Sequence, residues 1–165
     1  MKYLYVGKIV NTHGIKGELR IRSNFEKKDL VFKPGMTLYI GEGYVKEKIV
    51  TYRPHKEFDM VTFEGYNNIN QVLNYLKLNV YVNKDDLSLK KDEYILEELI
   101  GLDVVENGEK LGKVYDIVYN SSNILLGIEA EKNFYIPNNP NFIKKVDLER
   151  KEIIVENTKG LILWE

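Results

Sequence analysis

The chain reads GKIVNTHGIKGELR at residues 7–20, and this stretch decides the fold of its first half. A first strand is predicted across the start of this stretch, because Tyr3, Tyr5 and Ile9 alternate with other residues in a segment rich in Tyr and Val. At its end, Leu19 and Ile21 alternate with charged residues, the period of a half-buried second strand. The segment 11–14 breaks the first strand, so the stretch predicts a β-hairpin with a tight glycine turn.

The residues that follow continue the pattern of short strands. Further strands are predicted at residues 36–40, 44–52, 60–63 and 80–82. Pro54 is expected to end the strand at residues 44–52. A short amphipathic helix with an asparagine cap is predicted after Asn67 and Asn68, from the apolar positions Ile69, Val72, Leu73 and Leu76. Six strands and one helix within residues 1–83 predict a small antiparallel barrel, because closure removes exposed strand edges.

The second half repeats this character after a charged segment. Residues 84–93, KDDLSLKKDE, hold little that could enter a core and predict a linker between domains 1–83 and 94–165. A helical turn is expected at 94–99, and Asn107-Gly108 is a strong hairpin signal. Strands are predicted at 102–105, 112–119, 124–128, 134–136, 143–146 and 153–155. The fold class is therefore all-β, with two small antiparallel barrels joined by a short linker.

Composition narrows the class of protein. The chain has 165 residues, 44% of them hydrophobic and 30% charged, which is typical of a globular protein. It has no cysteine, which excludes disulfides and thiolate chemistry and favours a reducing cytoplasm. The N-terminus does not read as an export signal, and no apolar run approaches the ~20 residues of a membrane span. We therefore expect a cytoplasmic protein that does not insert into membranes.

The two halves carry opposite charge. Residues 1–90 hold 15 Lys and Arg against 10 Asp and Glu, giving +5, and residues 91–165 hold 9 against 15, giving −6. An RNA backbone favours a basic surface, and a basic protein favours an acidic one. The asymmetry predicts different partners for the halves, although chance could also produce it.

Several readings of the 7–20 stretch compete. His13 and Glu18 could act as an acid–base pair, but no nucleophile accompanies them. Gly14 and Gly17 could cradle a phosphate, although the spacing fits neither a P-loop nor a dinucleotide fingerprint, or they could supply turn angles alone. Lys16, Arg20 and Arg22 form a positive strip that suits RNA phosphates or a solvated strand face. The candidate RNA-proximal residues are His13, Gly14, Lys16, Gly17, Arg20 and Arg22.

A second candidate site begins the second half. Tyr94 and Ile95 lie in a run rich in carboxylates, DEYILEELIG at residues 92–101. An aromatic anchor within acidic surroundings is typical of a surface that docks a basic protein. The alternative is that Tyr94, Ile95 and Leu99 cover the end of the barrel core. The candidate protein-binding residues are Tyr94, Ile95, Leu96, Glu97 and Glu98.

Short motifs spread along the chain resemble the RimM family. The opening signature of that family resembles two consecutive parts of this chain, Val6–Ile9 and His13–Arg20. The C-terminal PRC-barrel markers of that family are similar to Glu98–Leu102, Leu111–Val114, Ile136-Pro137, Val146–Leu148 and Gly160-Leu161. The motifs occur in the family's order and span nearly the whole chain. One departure is that many relatives carry two adjacent aromatics where this chain has Tyr94-Ile95.

The resemblance implies a binding protein and no reaction, cofactor, metal or small-molecule substrate. It implies a translation-factor-like N-terminal barrel, a PRC barrel, and association with the precursor of the small ribosomal subunit and its rRNA. It also implies contact with a ribosomal protein of the subunit head, the nineteenth in the usual count, and help with rRNA processing and head folding. We expect a monomer. The alternatives are a stand-alone RNA-binding module and a small hydrolase using His13 and Glu18.

Overall fold

The computed structural model describes residues 2–90, 93–120 and 123–162 of the chain. The chain divides into two compact units, one up to residue 92 and one from residue 93 onward. Strands dominate both units, with four-residue helices α1 at Lys28–Val31 and α2 at Lys159–Ile162. The predicted all-β class with two small β domains is confirmed.

The first unit is a closed six-stranded barrel. Its strands are β1 Tyr3–His13, β2 Glu18–Arg22, β3 Thr37–Ile40, β4 Val45–His55, β5 Phe58–Phe63 and β6 Asn79–Asn83. They close in the order β1-β2-β5-β4-β3-β6, so that β1 pairs with both β2 and β6. Every pair is antiparallel, as predicted for this half.

Alternation along the strands fills the barrel. Leu4 and Val6 of β1 and Leu19 and Ile21 of β2 are buried, while the residues between them lie on the outer face. Helix α1, which the sequence pattern did not predict, brings fully buried Val31 into the core.

The expectation that Pro54 ends its strand is wrong. Strand β4 continues to His55, and Pro54 lies opposite Asp59 of β5. The pairing of β4 with β3 stops at Lys48, so β4 has a partner on one side only at Pro54. Proline, which lacks an N–H donor, is tolerated at such an edge position.

Strand β1 also runs further than expected. It extends through residues 11–13, which were predicted to break it. The reason is that β2 pairs with β1 as far as the pair His13 and Glu18, so the hairpin arms remain hydrogen-bonded up to the glycine turn.

The amphipathic helix predicted after Asn68 is instead two short 3₁₀ turns, Ile69–Gln71 and Leu73–Tyr75. The cap is confirmed, because Asn68 Oδ1 accepts a hydrogen bond from the N–H of Asn70 at 3.0 Å. Val72 and Tyr75 are buried three residues apart, which matches the three residues per turn of a 3₁₀-helix. Leu73, expected on the apolar face, is 45% exposed.

The second unit is a six-stranded sheet with a core of its own. The strands are β7 Asp103–Glu106, β8 Glu109–Asn120, β9 Asn123–Glu129, β10 Phe134–Pro137, β11 Ile143–Asp147 and β12 Glu152–Val155. Their order is β10-β9-β8-β7-β12-β11. Neighbours are antiparallel except β7 and β12, which are parallel. Both Asn107, at φ 51°, and Gly108, at φ 81°, have positive φ, as the predicted two-residue hairpin requires.

The segment expected to be a linker is ordered where the structure describes it. Lys84–Asp86 form a 3₁₀ turn, and Leu87 is buried. Residues 91 and 92 lie outside the described residues. The domain limits at 83 and 94 stay a prediction.

Candidate functional site

The β1–β2 hairpin presents the turn at residues 14–17. Gly14 has φ +71° and Gly17 has φ +93°, the left-handed region that the turn reading assigned to them. A Cβ atom on Gly17 would lie 3.4 Å from the carbonyl oxygen of Asn68. The N–H of Ile69 donates to the carbonyl of Ile15 at 2.9 Å. These contacts fix the turn against the first 3₁₀ segment.

A polar network lies on the outer face beside this turn. His13 pairs with Glu18 across the hairpin. The Nη2 of Arg20 lies 2.8 Å from Nδ1 of His13 and, as an obligate donor, hydrogen-bonds to it. Arg53 of β4 donates to both carboxylate oxygens of Glu18, at 2.9 and 2.8 Å. The rings of His13 and His55 have centroids 5.5 Å apart. Three strands therefore contribute to one cluster.

The pKa values in this network follow from its charges. The hydrogen bonds from Arg53 lower the pKa of Glu18 and raise the pKa of Arg53. Desolvation lowers the pKa of His55, and the neighbouring positive charge of Arg53 lowers it further. The network therefore favours an ionised carboxylate at Glu18 and a neutral imidazole at His55.

The arginines of β2 lie against an aromatic ring. The guanidinium carbons of Arg20 and Arg22 lie 5.7 and 5.6 Å from the centroid of the Phe58 ring, within cation–π range. Met60, which is opposite Arg20 in the strand ladder, is fully buried although it lies on the outer face. Arg22 and Lys16 are exposed. The predicted positive strip therefore packs on Phe58 through Arg20 and Arg22, and its role in RNA binding stays a prediction.

Sequence reasoning missed the contribution of the β4–β5 hairpin. Arg53 and Phe58 meet β2 side chains because β5 pairs with both β2 and β4, and His55 meets His13 of β1. No local motif marks these residues. The cluster also bears on the hydrolase alternative, because Glu18 is already paired with Arg53 and Nδ1 of His13 with Arg20.

The candidate docking residues of the second unit are mostly covered. Ile95 is fully buried and Leu96 is 3% exposed, while Tyr94 is partly buried against the same core. Leu96 begins a 3₁₀ turn that ends at Leu99. Glu98 Oε1 accepts a hydrogen bond from the N–H of Ile95 at 3.1 Å, which caps this turn. Ile95 and Leu96 thus hold the segment in place.

The surface at this end comes from other members of the segment. Glu97 is exposed, and Ile100, which the sequence reasoning did not select, is 47% exposed. Tyr94 is partly exposed. Asp92, part of the same run, lies outside the described residues. A docking surface here would consist of Tyr94, Glu97 and Ile100.

Two general features of the described residues bear on chemistry and location. Within residues 2–90, 93–120 and 123–162, no group of three or more histidine, aspartate and glutamate side chains could hold a metal ion. No helix in the same ranges is long and apolar enough to cross a membrane.

Comparison with known proteins gives matches along nearly the whole chain. The family model for the RimM N-terminal domain matches residues 4–87, and that for the RimM PRC barrel domain matches residues 96–161. A ribosome maturation factor RimM of Staphylococcus haemolyticus is 37% identical over 162 residues, covering 95% of this chain and 97% of that protein. One of an Exiguobacterium species is 36% identical over 168 residues, covering 98% of each.

Among solved structures, a 16S ribosomal RNA processing protein RimM of Pseudomonas aeruginosa is similar with a TM-score of 0.48 and 18% identity. The match covers 94% of this chain and 98% of that one.

Proposed function

Because this chain belongs to the RimM family of ribosome maturation factors, we propose that it binds the assembling small ribosomal subunit. The observation that carries the proposal is the presence of both family domains, in order, in one chain. We further propose that it contacts the nineteenth protein of the subunit head and aids rRNA processing and head folding. It does so in the cytoplasm, as a monomer, by binding alone and without a cofactor.

The charges of the two halves support a division of labour. The basic first half offers exposed Lys16 and Arg22 beside the hairpin turn, which suits contact with rRNA phosphates. The acidic second half offers Glu97 next to Tyr94, which suits a basic ribosomal protein. The proposed arrangement places rRNA on the first unit and the head protein on the second.

Co-sedimentation tests the proposal. Purified protein is mixed with free small subunits, with mature whole ribosomes and with large subunits at low salt, and each pellet is assayed for the protein. We expect retention on free small subunits. A deletion strain should accumulate unprocessed small-subunit rRNA. Absence from small subunits together with normal rRNA processing in the deletion strain would refute the proposal.

The docking surface is tested by Tyr94→Ala. Loss of a partly exposed aromatic anchor at an interface costs about 2 kcal/mol when it is an important contact, so we expect about thirtyfold weaker binding to small subunits. Binding is measured by titration, and folding by circular dichroism. Tyr119→Ala, at a 56% exposed tyrosine elsewhere in the second unit, is the control and should bind like the unmodified protein. Lost structure in Tyr94→Ala would instead assign Tyr94 to the core.

A stand-alone RNA-binding module is the second candidate, and the basic strip of β2 favours it. It predicts tight, strongly salt-sensitive binding to naked rRNA in the absence of any ribosomal protein. Comparison of naked rRNA with the reconstituted head complex separates the two functions.

A further inference from the structure

Five tyrosines of the first unit touch one another in a continuous cluster on the outside of the barrel. The Tyr3 and Tyr44 rings stack with centroids 4.0 Å apart and planes 7° apart. Tyr3 meets Tyr39 edge-on at 5.0 Å, Tyr44 meets Tyr81 at 5.1 Å, and Tyr81 meets Tyr5 at 6.0 Å. We call this set of five residues the tyrosine face.

Strand register explains how residues distant in sequence reach one surface. Tyr5 of β1 lies opposite Tyr81 of β6, Tyr81 lies opposite Tyr39 of β3, and Tyr39 lies opposite Lys46 of β4. Directly opposite residues project to the same side of a sheet. Their neighbours Leu4, which is buried, and Val80, which is fully buried, point into the barrel, so this row points outward.

The tyrosine face is layered, with a covered base and an accessible top. Tyr39, which meets the Tyr3 ring, is only 4% exposed, whereas Tyr5 is 49% and Tyr44 is 38% exposed. Tyr44 also holds φ +50°, a left-handed conformation that is unfavourable for a bulky side chain. Tyr44 lies at the tip of the β3–β4 hairpin, and its ring stacks on Tyr3. Such backbone strain is concentrated at functional positions in proteins.

The surroundings of the tyrosine face are cationic and polar. The outward ladder positions next to these tyrosines are Lys8, Thr37, Lys46, Lys48, Asn79 and Asn83. Lys8, Lys46 and Lys48 are exposed, and no ion pair found among the described residues involves them. Exposed aromatic rings beside uncompensated lysines are the combination by which proteins hold single-stranded nucleic acid.

We propose that the tyrosine face binds a single-stranded segment of RNA, with unpaired bases stacking on Tyr5 and Tyr44 and phosphates lying near Lys46 and Lys48. None of these residues belongs to the cluster formed by His13, Arg20 and Arg53. The inference rests on the proposed function only for the source of the strand, which would be rRNA that has not yet folded.

The composition of the face favours unpaired RNA over the other macromolecular partners. A base pair in a duplex already stacks on both sides, so it offers a tyrosine ring no free face. Lysine is depleted at protein–protein interfaces relative to the rest of the protein surface. Here lysine, threonine and asparagine fill the ladder positions around the rings, and these groups suit phosphate and base edges.

The test uses the full-length protein and fluorescence anisotropy of a labelled oligoribonucleotide of mixed sequence, about 12 nucleotides long, which is within the site size of such surfaces. The same strand is also presented as a duplex. We expect the single strand to bind at least tenfold more tightly than the duplex. Tyr5→Ala should weaken single-strand binding about tenfold, which corresponds to about 1.4 kcal/mol, and Tyr5→Phe, which keeps the ring, should bind within twofold of the unmodified protein.

Matched controls decide the outcome. Tyr135→Ala removes a tyrosine of nearly equal exposure, 48%, from the second unit and should leave binding unchanged. Tyr44→Asn removes the second ring with a residue that tolerates positive φ and should reproduce the loss of Tyr5→Ala. Unchanged single-strand binding in both Tyr5→Ala and Tyr44→Asn overturns the proposal. If subunit binding nevertheless falls in these variants, the tyrosine face binds a protein instead. Equal affinity for duplex and single strand also overturns it.

The result is separable from the proposed function. Co-sedimentation with small subunits can persist in Tyr5→Ala while oligonucleotide binding fails, and the reverse holds for Tyr94→Ala.

Discussion

At Gly7 the first strand of the barrel approaches its neighbour so closely that only a hydrogen atom fits on the Cα. A Cβ there would lie 2.6 Å from the carbonyl oxygen of Arg22 and 3.0 Å from Cγ2 of Ile21. Backbone cannot yield as a flexible side chain can. Gly7, part of the most informative sequence stretch, therefore serves the approach of β1 to β2, while Gly14 and Gly17 of the same stretch serve the turn.

Gly7→Ala should be clearly destabilising. Overpacking in a well-packed region typically costs 1–3 kcal/mol, and we expect a loss of about 2 kcal/mol in the free energy of unfolding. Urea denaturation measures it. Gly43→Ala is the control, since its Cβ would meet nothing closer than 3.9 Å, and it should change stability by less than about 1 kcal/mol. Equal effects of the two substitutions would contradict the close approach at Gly7.

Glu18 makes stability depend on pH through its pair with Arg53. Its pKa is lowered in the folded protein, so its contribution is present above the unfolded pKa, about 4.3, and is lost as pH falls through the folded value. Glu18→Gln should therefore be less stable than the unmodified protein near neutral pH, and the difference should shrink in acid. Urea unfolding at about pH 7 and about pH 3 measures this. Glu57→Gln, at an exposed carboxylate, should show a smaller difference at neutral pH.

At the scale of elements, the segment after Asn68 shows how a correct cap can precede a wrong helix type. The cap is a local property of Asn68 and Gln71, and the sequence predicted the start correctly. The helix type depends on which apolar residues the barrel accepts, and it accepts Val72 and Tyr75 rather than Leu73. Spacing alone could not distinguish a 3.6-residue period from a 3-residue period over two turns.

Val72→Ala and Leu73→Ala separate these two geometries. Val72 is fully buried and Leu73 is 45% exposed, so the first change should cost about 2 kcal/mol and the second under about 0.5 kcal/mol. Thermal or urea unfolding of both variants provides the comparison. A larger loss for Leu73→Ala would indicate that the α-helical face expected from the sequence is the buried one.

Local sequence signals predicted much of the fold. Much of the candidate site depends on strand pairing between distant residues and could not be predicted in this way. Asn107-Gly108 announces its hairpin because both residues readily adopt positive φ. Arg53 and Phe58 belong to the β2 cluster only because β5 lies between β2 and β4 in the barrel. Tyr5 and Tyr81 meet for the same reason, since the pairing of β1 with β6 joins the two ends of the unit. Short sequence windows do not contain such information.

At the scale of the whole molecule, the opposite charges of the two halves predict how salt acts on subunit binding. If Arg22 contacts an rRNA phosphate, Arg22→Ala should weaken binding and reduce the slope of log affinity against log salt by about 1. Lys159→Ala removes an exposed cation from the acidic half and should leave that slope unchanged. Titrations at several salt concentrations give both slopes. Identical slopes for all three proteins would remove Arg22 from the rRNA contact.

The pairing of β1 with β6 affects how the barrel folds while the chain is being synthesised on the ribosome. The N-terminal strand is made first, yet one of its two partners ends at Asn83. At about 5–20 residues per second, roughly 3–12 s separate synthesis of β2 from synthesis of β6. During that interval β1 has an open edge in the nascent chain, available to chaperones or to other unfinished chains. Translation speed through the first half thus sets how long that edge stays unprotected.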